Sequence, residues 1–419
     1  MISHKYRNAI WMMLEKIISI LGLFLVTSYV AKYIGPELFG KLSIAMAVFQ
    51  IVQIISQLGS DNILFKRISK SRTSGVHLMR ASFYVRVLIY LFLSIPVIAY
   101  FYFFVGGYSL FFALAVCIAC FFSAMDIYAI YNNAILQSKR NTICNAFGLA
   151  ISLIIRYVVA YKKLDPVYLS IPIVLATAIP FFIRYFYFRA RTRSIVNIIT
   201  KRNTMRYSKY MVLAGSGIVI SAISVALYAR INQLELASLI GDESVGVYSV
   251  ALTLATSWGF VVASLISSFY PAIFSEKDPD AALRMASSLN RLVMLVSIIA
   301  LGIVTIFGQF VIDRLFGKDY VGAYLPMLIL CVGSVLSSLG TVSYRFIVKY
   351  SGYAYLSKKM FIVFLISIFT SYFLILNHGV IGAAISVVIV ELLSLTVMNY
   401  FFKKGLIMKL HAYSFFKGG

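Results

Sequence analysis

Five basic residues sit inside long apolar stretches of the chain: Lys16, Arg86, Arg156, Arg184 and Arg230. Acids share those stretches at Glu15, Asp61, Asp126, Glu235 and Glu391. An ionised side chain at membrane depth is costly, so each must pair, reach water or meet a ligand. Arginine suits the last role when the ligand carries phosphate, because its planar fork donates two parallel hydrogen bonds. Carboxylates beside such arginines can take up protons as their surroundings change. The chemistry on offer is reversible binding of an anionic group.

Helical periodicity sorts these residues onto faces. Ser43, Gln50, Gln53, Gln57, Ser60 and Asp61 form one stripe, and Ser123, Asp126, Asn133 and Gln137 another. Asn145, Gly148, Ser152 and Arg156 fall within about 80° of one another at about 100° per residue. Arg156 is roughly 14 residues, about 20 Å, above the inner end of its helix, beyond easy reach of the cytosol. Ser82, Arg86 and Tyr90 share a face, as do Ser170, Thr177 and Arg184, where Pro180 can kink the helix. Glu15, Ser19 and Gly22 do so too, with Lys16 adjoining. Farther on, Gly217, Ser221, Ser224, Tyr228, Asn232 and Glu235 make a stripe from which Arg230 points about 160° away.

Lipid rejects such faces, so they turn toward one another and either line a cavity or pair. Arg86 and Arg184 lie near basic loops and can equally snorkel. Glu15 can pair with Lys16 or with an arginine of another helix. Asp61, at a helix end, can be solvated. For Arg156 and Asp126 a functional cavity competes with a buried structural pair. The expected substrate-binding residues are therefore Arg156, Arg86, Arg184, Arg230 and Lys16, and the coupling or cavity acids Asp126, Glu15, Asp61 and Glu235. Gln53, Gln57, Asn133, Asn145 and Asn232 are the expected polar lining.

The elements that hold these faces must be membrane helices. The chain is 61% hydrophobic and only 12% charged, more apolar than soluble domains. Its apolar runs approach the roughly 20 residues needed to cross a bilayer as helix and are too long for barrel strands. Twelve spans are expected, at about 8–31, 42–64, 81–105, 108–136, 143–161, 167–189, 210–236, 246–269, 288–312, 322–345, 358–376 and 380–402. The first is too long for a signal peptide and lacks a small-residue cleavage site.

One stretch is written twice. Ala31, Ile34, Gly35, Glu37, Gly40, Ser43 and Ala45 recur as Ala237, Ile240, Gly241, Glu243, Gly246, Ser249 and Ala251, 206 residues later. A self-match at half the chain length marks internal duplication, a transporter signature in an apolar chain. The expected fold is all-α integral membrane, about twelve transmembrane helices in two pseudo-symmetric six-helix bundles around a central cavity. The bundles are 1–188 and 210–402, joined by a basic cytosolic linker at 189–209 and followed by a basic tail at 403–419. A short surface helix is expected within 275–291.

Net charge is +24, yet the basic residues lie in short loops. With the N-terminus inside, 27 Lys and Arg fall on the cytosolic side and 6 on the other, so both termini are expected in the cytosol. No compact basic domain remains for nucleic acid. Outer loops of about a dozen residues leave no room for an extracellular catalytic domain. His4, His77, His378 and His411 sit in loops or tails, and Cys117-x-x-Cys120 lies within a span without histidine. No catalytic residue, metal or cofactor is expected.

Residues 8–18 (Asn-Ala-Ile-Trp-Met-Met-Leu-Glu-Lys-Ile-Ile) with Ala31-Lys32-Tyr33-Ile34-Gly35-Pro36-Glu37-x-x-Gly40 resemble the opening of polysaccharide repeat-unit flippases, the Wzx type of the MOP exporter superfamily. Arg230-Ile231-Asn232-Gln233 with the turn Gly241 to Ala251, Gly317-Lys318-x-Tyr320 through Pro326, and Gly379-x-x-Gly382-Ala383-Ala384 are similar to later turns of that family. The resemblance implies flipping of undecaprenyl-diphosphate-linked oligosaccharide across the bacterial inner membrane, for O-antigen or capsule, by alternating access with H+ or Na+ coupling. Glycan polymerase and chain-length proteins are the implied partners. The family's Arg-x-Asp reads Arg230-Ile231-Asn232 here, so a charged role at 232 is in question, and Glu235 is a candidate substitute. Two rivals stand: a cation-coupled drug antiporter, which favours cavity acids over arginines, and a membrane component of a glycan polymerase or ligase.

Overall fold

The computed structural model describes residues 4–196 and 201–416, with side chains described for 22–61, 63–192, 205–209, 211 and 222–415. No strand occurs among the described residues, and nine segments there are long and apolar enough to cross a membrane. The protein is an all-α integral membrane protein. It divides into two compact units, Met1–Ala226 and Leu227–Gly419.

Unit 1 contains α1 (His4–Gln57), α2 (Ser60–Lys70), α3 (Arg72–Tyr100), α4 (Gly107–Met125), α5 (Ile127–Ala134), α6 (Ser138–Tyr161), α7 (Ser170–Val196) and the first part of α8 (Lys201–Leu239). α1 packs against α3, α4 and α6, and α7 against α4 and α6. Residues 197–200 of the expected linker lie outside the described residues, and the chain on both sides of them is helical. Unit 2 takes the end of α8 and then α9 (Asp242–Thr256), α10 (Gly259–Ser275), α11 (Pro279–Val311), α12 (Tyr324–Lys349), α13 (Tyr353–Leu395), α14 (Val397–Tyr400) and α15 (Leu406–Phe416). α12 is its centre, touching α9, α11 and α13.

The two longest helices, α1 and α13, far exceed one bilayer crossing, and glycine divides both. A straight rod of the 54 residues of α1 would run about 81 Å against a hydrocarbon core of about 30 Å. Gly35, with φ 76° and ψ 171°, breaks the helix immediately before Pro36. Its duplicate Gly241 stands at φ 120° and caps the start of α9, so the repeated stretch forms the same kind of turn twice. In α13 the break is Gly379, at φ 57°. There the chain folds back so closely that a Cβ on Gly382 would lie 1.9 Å from the Leu374 carbonyl oxygen. Counting two spans in each of these segments and one in α8 accommodates the expected twelve.

Residues 275–291 differ from expectation. The segment is no separate surface helix, because Asp278 accepts hydrogen bonds from the amides of Asp280 and Ala281, each at 3.1 Å, and starts α11 at Pro279. A carboxylate cap followed by proline at the first helical position is a strong start signal, and the helix then runs unbroken to Val311. Residues 406–416 are equally structured. α15 buries Ile407 and Leu410 in a core with Leu283, Ala286 and Phe346. Its Leu410 carbonyl accepts from Ser287 at 3.1 Å.

Candidate functional site

The expected fourth span, 108–136, is broken inside the membrane. α4 stops at Met125, Asp126 adopts φ −78° and ψ 57°, and α5 starts at Ile127. A break at this depth frees backbone groups that lipid cannot satisfy. Asp126 caps α5 by accepting from the Ala129 amide at 3.2 Å. Arg86 from α3 donates to the Ala124 carbonyl at 2.7 Å. The break therefore draws one carboxylate and one guanidinium to the same place.

Each of these ions has a counter-ion. Asp126 meets Arg184 of α7 at 2.6 Å with both side chains buried, 12% and 6% exposed. Arg184 also donates to the Asn145 side chain at 3.0 and 3.1 Å. Arg86 meets Asp61 at 2.6 Å and lies against Ser60 and Ser82. Here the burial is uneven: Arg86 is 2% exposed and Asp61 52%. Arg86 and Arg184, expected to bind substrate, thus direct donors to protein partners, and Asp61 and Asp126 balance their charges.

The polar residues expected to line a cavity also bridge helices of unit 1. Gln53 donates to Ser123 at 2.9 Å, and Asn133 accepts from Asn141 at 2.9 Å. Gln57 is half-buried near the end of α1. The side chains of Glu15 and Lys16 lie outside the described residues.

Arg156 differs from the other two arginines. It is half-buried and makes no hydrogen bond or ion pair with any described residue. Its neighbours on α6 are anchored: Ser152 donates to the Pro172 carbonyl at 2.9 Å, and the Tyr157 ring stacks on Tyr29 at 5.6 Å. Because α6 starts at Ser138 and ends at Tyr161, Arg156 lies about 27 Å from the first end and about 8 Å from the second. It belongs to the Lys162–Lys163 end of its helix.

Between α8 and α13, unit 2 carries a polar seam. The stripe expected on the seventh span faces α13. Tyr228 donates to Glu391 at 2.7 Å, Asn232 accepts from Ser386 at 2.7 Å, and Glu235 accepts from Ser371. These partners lie on both sides of Gly379, so the end of α8 ties the two arms of α13 together. Arg230, on the opposite face as expected, donates to Gln233 at 3.2 Å, and Gln233 donates to Ser249 at 3.1 Å. One buried cation escaped the sequence reading: Lys359 donates to Asn399 at 2.8 Å. It starts a span next to a basic loop and looks like a snorkelling residue; the signal that could have found it is Asn399, a carboxamide about 40 residues on at the end of the paired apolar arm.

A family model described as polysaccharide biosynthesis protein matches residues 6–276, well over half of the chain. The chain belongs to that family. This polysaccharide biosynthesis protein also shares its fold with MOP-superfamily transporters of known structure. It is similar to the lipid II flippase MurJ in an inward closed conformation, with a TM-score of 0.72 at 14% identity over 97% of this chain and 90% of that one. It is similar to an inward-facing multidrug resistance MATE transporter, with a TM-score of 0.67 at 12% identity over 97% and 100% of the two chains. A MOP-superfamily transporter from Pyrococcus furiosus follows at 0.64, 12% identity, and 96% and 95% coverage. At such identities the likeness is one of fold. No curated protein sequence matches the chain.

Proposed function

We propose that this protein flips undecaprenyl-diphosphate-linked oligosaccharide repeat units, of O-antigen or capsule type, from the cytosolic to the outer leaflet of a bacterial inner membrane. It works by alternating access, without chemistry on the substrate, and a proton or sodium gradient drives it. Both termini face the cytosol, as the loop charges require, and polymerase and chain-length proteins act on what it delivers. The observation that carries this reading is Arg156: a half-buried guanidinium in a spanning helix with no partner among the described residues, in a chain of the polysaccharide biosynthesis family. An unpaired cation there suits a transient anionic headgroup. Arg86 and Arg184 hold the bundle in shape around it, and Glu235 is the candidate coupling acid.

Replacing Arg156 by Ala tests the reading. Surface polysaccharide, measured in cells whose own copy is deleted, falls at least tenfold while the protein accumulates in the membrane at its normal level. Normal surface polysaccharide would remove Arg156 from the transport path. Expression that protects cells from organic cations and leaves surface polysaccharide unaffected would favour the drug-antiporter reading instead.

A further inference from the structure

A cavity of about 460 Å³ lies between α3 and α7 of unit 1, lined among others by Arg80, Tyr84, Tyr128, Tyr185, Phe188 and Arg189. No acid lines it. Its surroundings say what it faces. Tyr84, Leu88, Leu91 and Ile95 recur along α3 at helical spacing and are all exposed, as are Phe182 and Phe186 on α7. Exposed apolar stripes on spanning helices lie against lipid tails. Each stripe runs into an arginine at the same end: Arg80 is one turn before Tyr84, and Arg189 follows Phe186 at the third position.

The remainder of that end is also basic and aromatic. Arg72 donates to the Tyr131 hydroxyl at 2.6 Å, and Arg140 and Arg191 lie over the Tyr187 ring at 3.9 and 5.0 Å. Those tyrosines hold three guanidinium groups beside the cavity without neutralising them. Arg189 itself donates to Tyr185 at 3.4 Å, which turns it along the cavity wall. Arg80 is eight residues into α3, about 12 Å from the helix start and immediately before the expected third span.

We propose that this cleft binds an anionic phospholipid of the surrounding membrane, its phosphate held between Arg80 and Arg189 and one acyl chain lying on the Tyr84 to Ile95 stripe. Charge selects the headgroup, since two arginines in the described lining favour an anion over a zwitterion. The apolar wall selects a lipid over a free anion, because a soluble phosphate leaves the exposed aromatic surface unmatched. The site is separate from Arg156 and does not depend on what the protein transports.

The full chain, purified in detergent and exchanged into phosphatidylcholine vesicles with and without phosphatidylglycerol, supplies the test. Native mass spectrometry should show phosphatidylglycerol bound to the wild type, reduced at least tenfold in R80Q/R189Q and largely retained in R80K/R189K. The variant K277Q/R284Q, with the same charge loss on unit 2, should bind as the wild type does. Equal retention in R80Q/R189Q, or an equal loss in K277Q/R284Q, overturns the site. So does binding of soluble glycerol phosphate as tightly as of the lipid. Should R80Q/R189Q not fold, Y84W reads the site with both arginines in place: brominated phosphatidylglycerol should quench it more than brominated phosphatidylcholine, and equal quenching refutes the proposal.

Discussion

The two units solve the same problem with different chemistry. Each must accommodate polar side chains inside a membrane. Unit 1 does it with ions: Arg86 with Asp61 and Arg184 with Asp126, gathered where α4 breaks and its backbone needs partners. Unit 2 does it mostly with neutral donors: Tyr228, Ser386 and Ser371 bonded to residues that keep a glycine-broken helix folded on itself. An ion pair removed from water is unforgiving when one partner is lost, whereas a single hydroxyl bond is worth about 1 kcal/mol. The difference locates function as well. Where a unit has balanced its ions, an ion left without a described partner stands out, and Arg156 is that ion.

The comparison is broken most sharply at Asp126. Asp126→Ala strands Arg184 in a buried site and removes the cap of α5, so a loss of about 3–5 kcal/mol is expected. Thermal unfolding followed by size-exclusion chromatography in detergent reads it. If the pair matters as a charge balance, D126A/R184L should recover a large part of the loss, and an unrecovered double variant would show that the cap dominates.

Arg86 and Asp61 sharpen the contrast within one pair. Arg86→Leu leaves the Ala124 carbonyl unsatisfied beside a helix break, and a cost of about 2–3 kcal/mol is expected. Asp61→Asn should cost no more than about 1 kcal/mol, since half of that carboxylate reaches the surface and is screened there. Equal effects of the two substitutions would refute the reading of Arg86 as the partner of the helix break.

His411 tests the tail of unit 2 by pH. It lies between Ser343 and Tyr400, each 3.1 Å from a ring nitrogen, and burial pushes it down from 6.5 to about 4. The folded protein keeps the imidazole neutral while the unfolded chain protonates it near 6.5. Its stabilising contribution is therefore complete above about 6.5 and is lost as pH falls toward about 4. Hydrogen exchange of 406–416 should rise through that window, and His411→Phe should flatten the rise. Exchange independent of pH would show that α15 is held by its apolar face alone.

Much of this architecture is legible in residues 31–45 and 237–251, because a turn between membrane helices needs a left-handed residue and glycine supplies it twice. The stripe Tyr228, Asn232 and Glu235 is legible for the same local reason: a helix's own spacing decides which residues share a face. Partners are another matter. Nothing in the periodicity of α7 says that Arg184 meets a carboxylate 58 residues earlier, since pairing across helices is decided by packing. The break at Asp126 is hidden in a run that stays apolar on both sides. The start of α11 at Pro279 is not legible in the sequence, because its cap residues equally suit a short surface segment.

The smallest effect is the most specific to unit 2. Tyr228→Phe deletes one hydroxyl and leaves its ring in place, so about 1 kcal/mol of stability should go. Glu391 loses one hydrogen-bond donor. A hydroxyl seam predicts that Y228F combined with S386A costs close to the sum of the two single changes, because the two bonds touch different arms of α13. A coupling energy above about 1 kcal/mol between them would mean that the seam acts as one cooperative network, and the contrast with the ion pairs of unit 1 would then be one of charge alone.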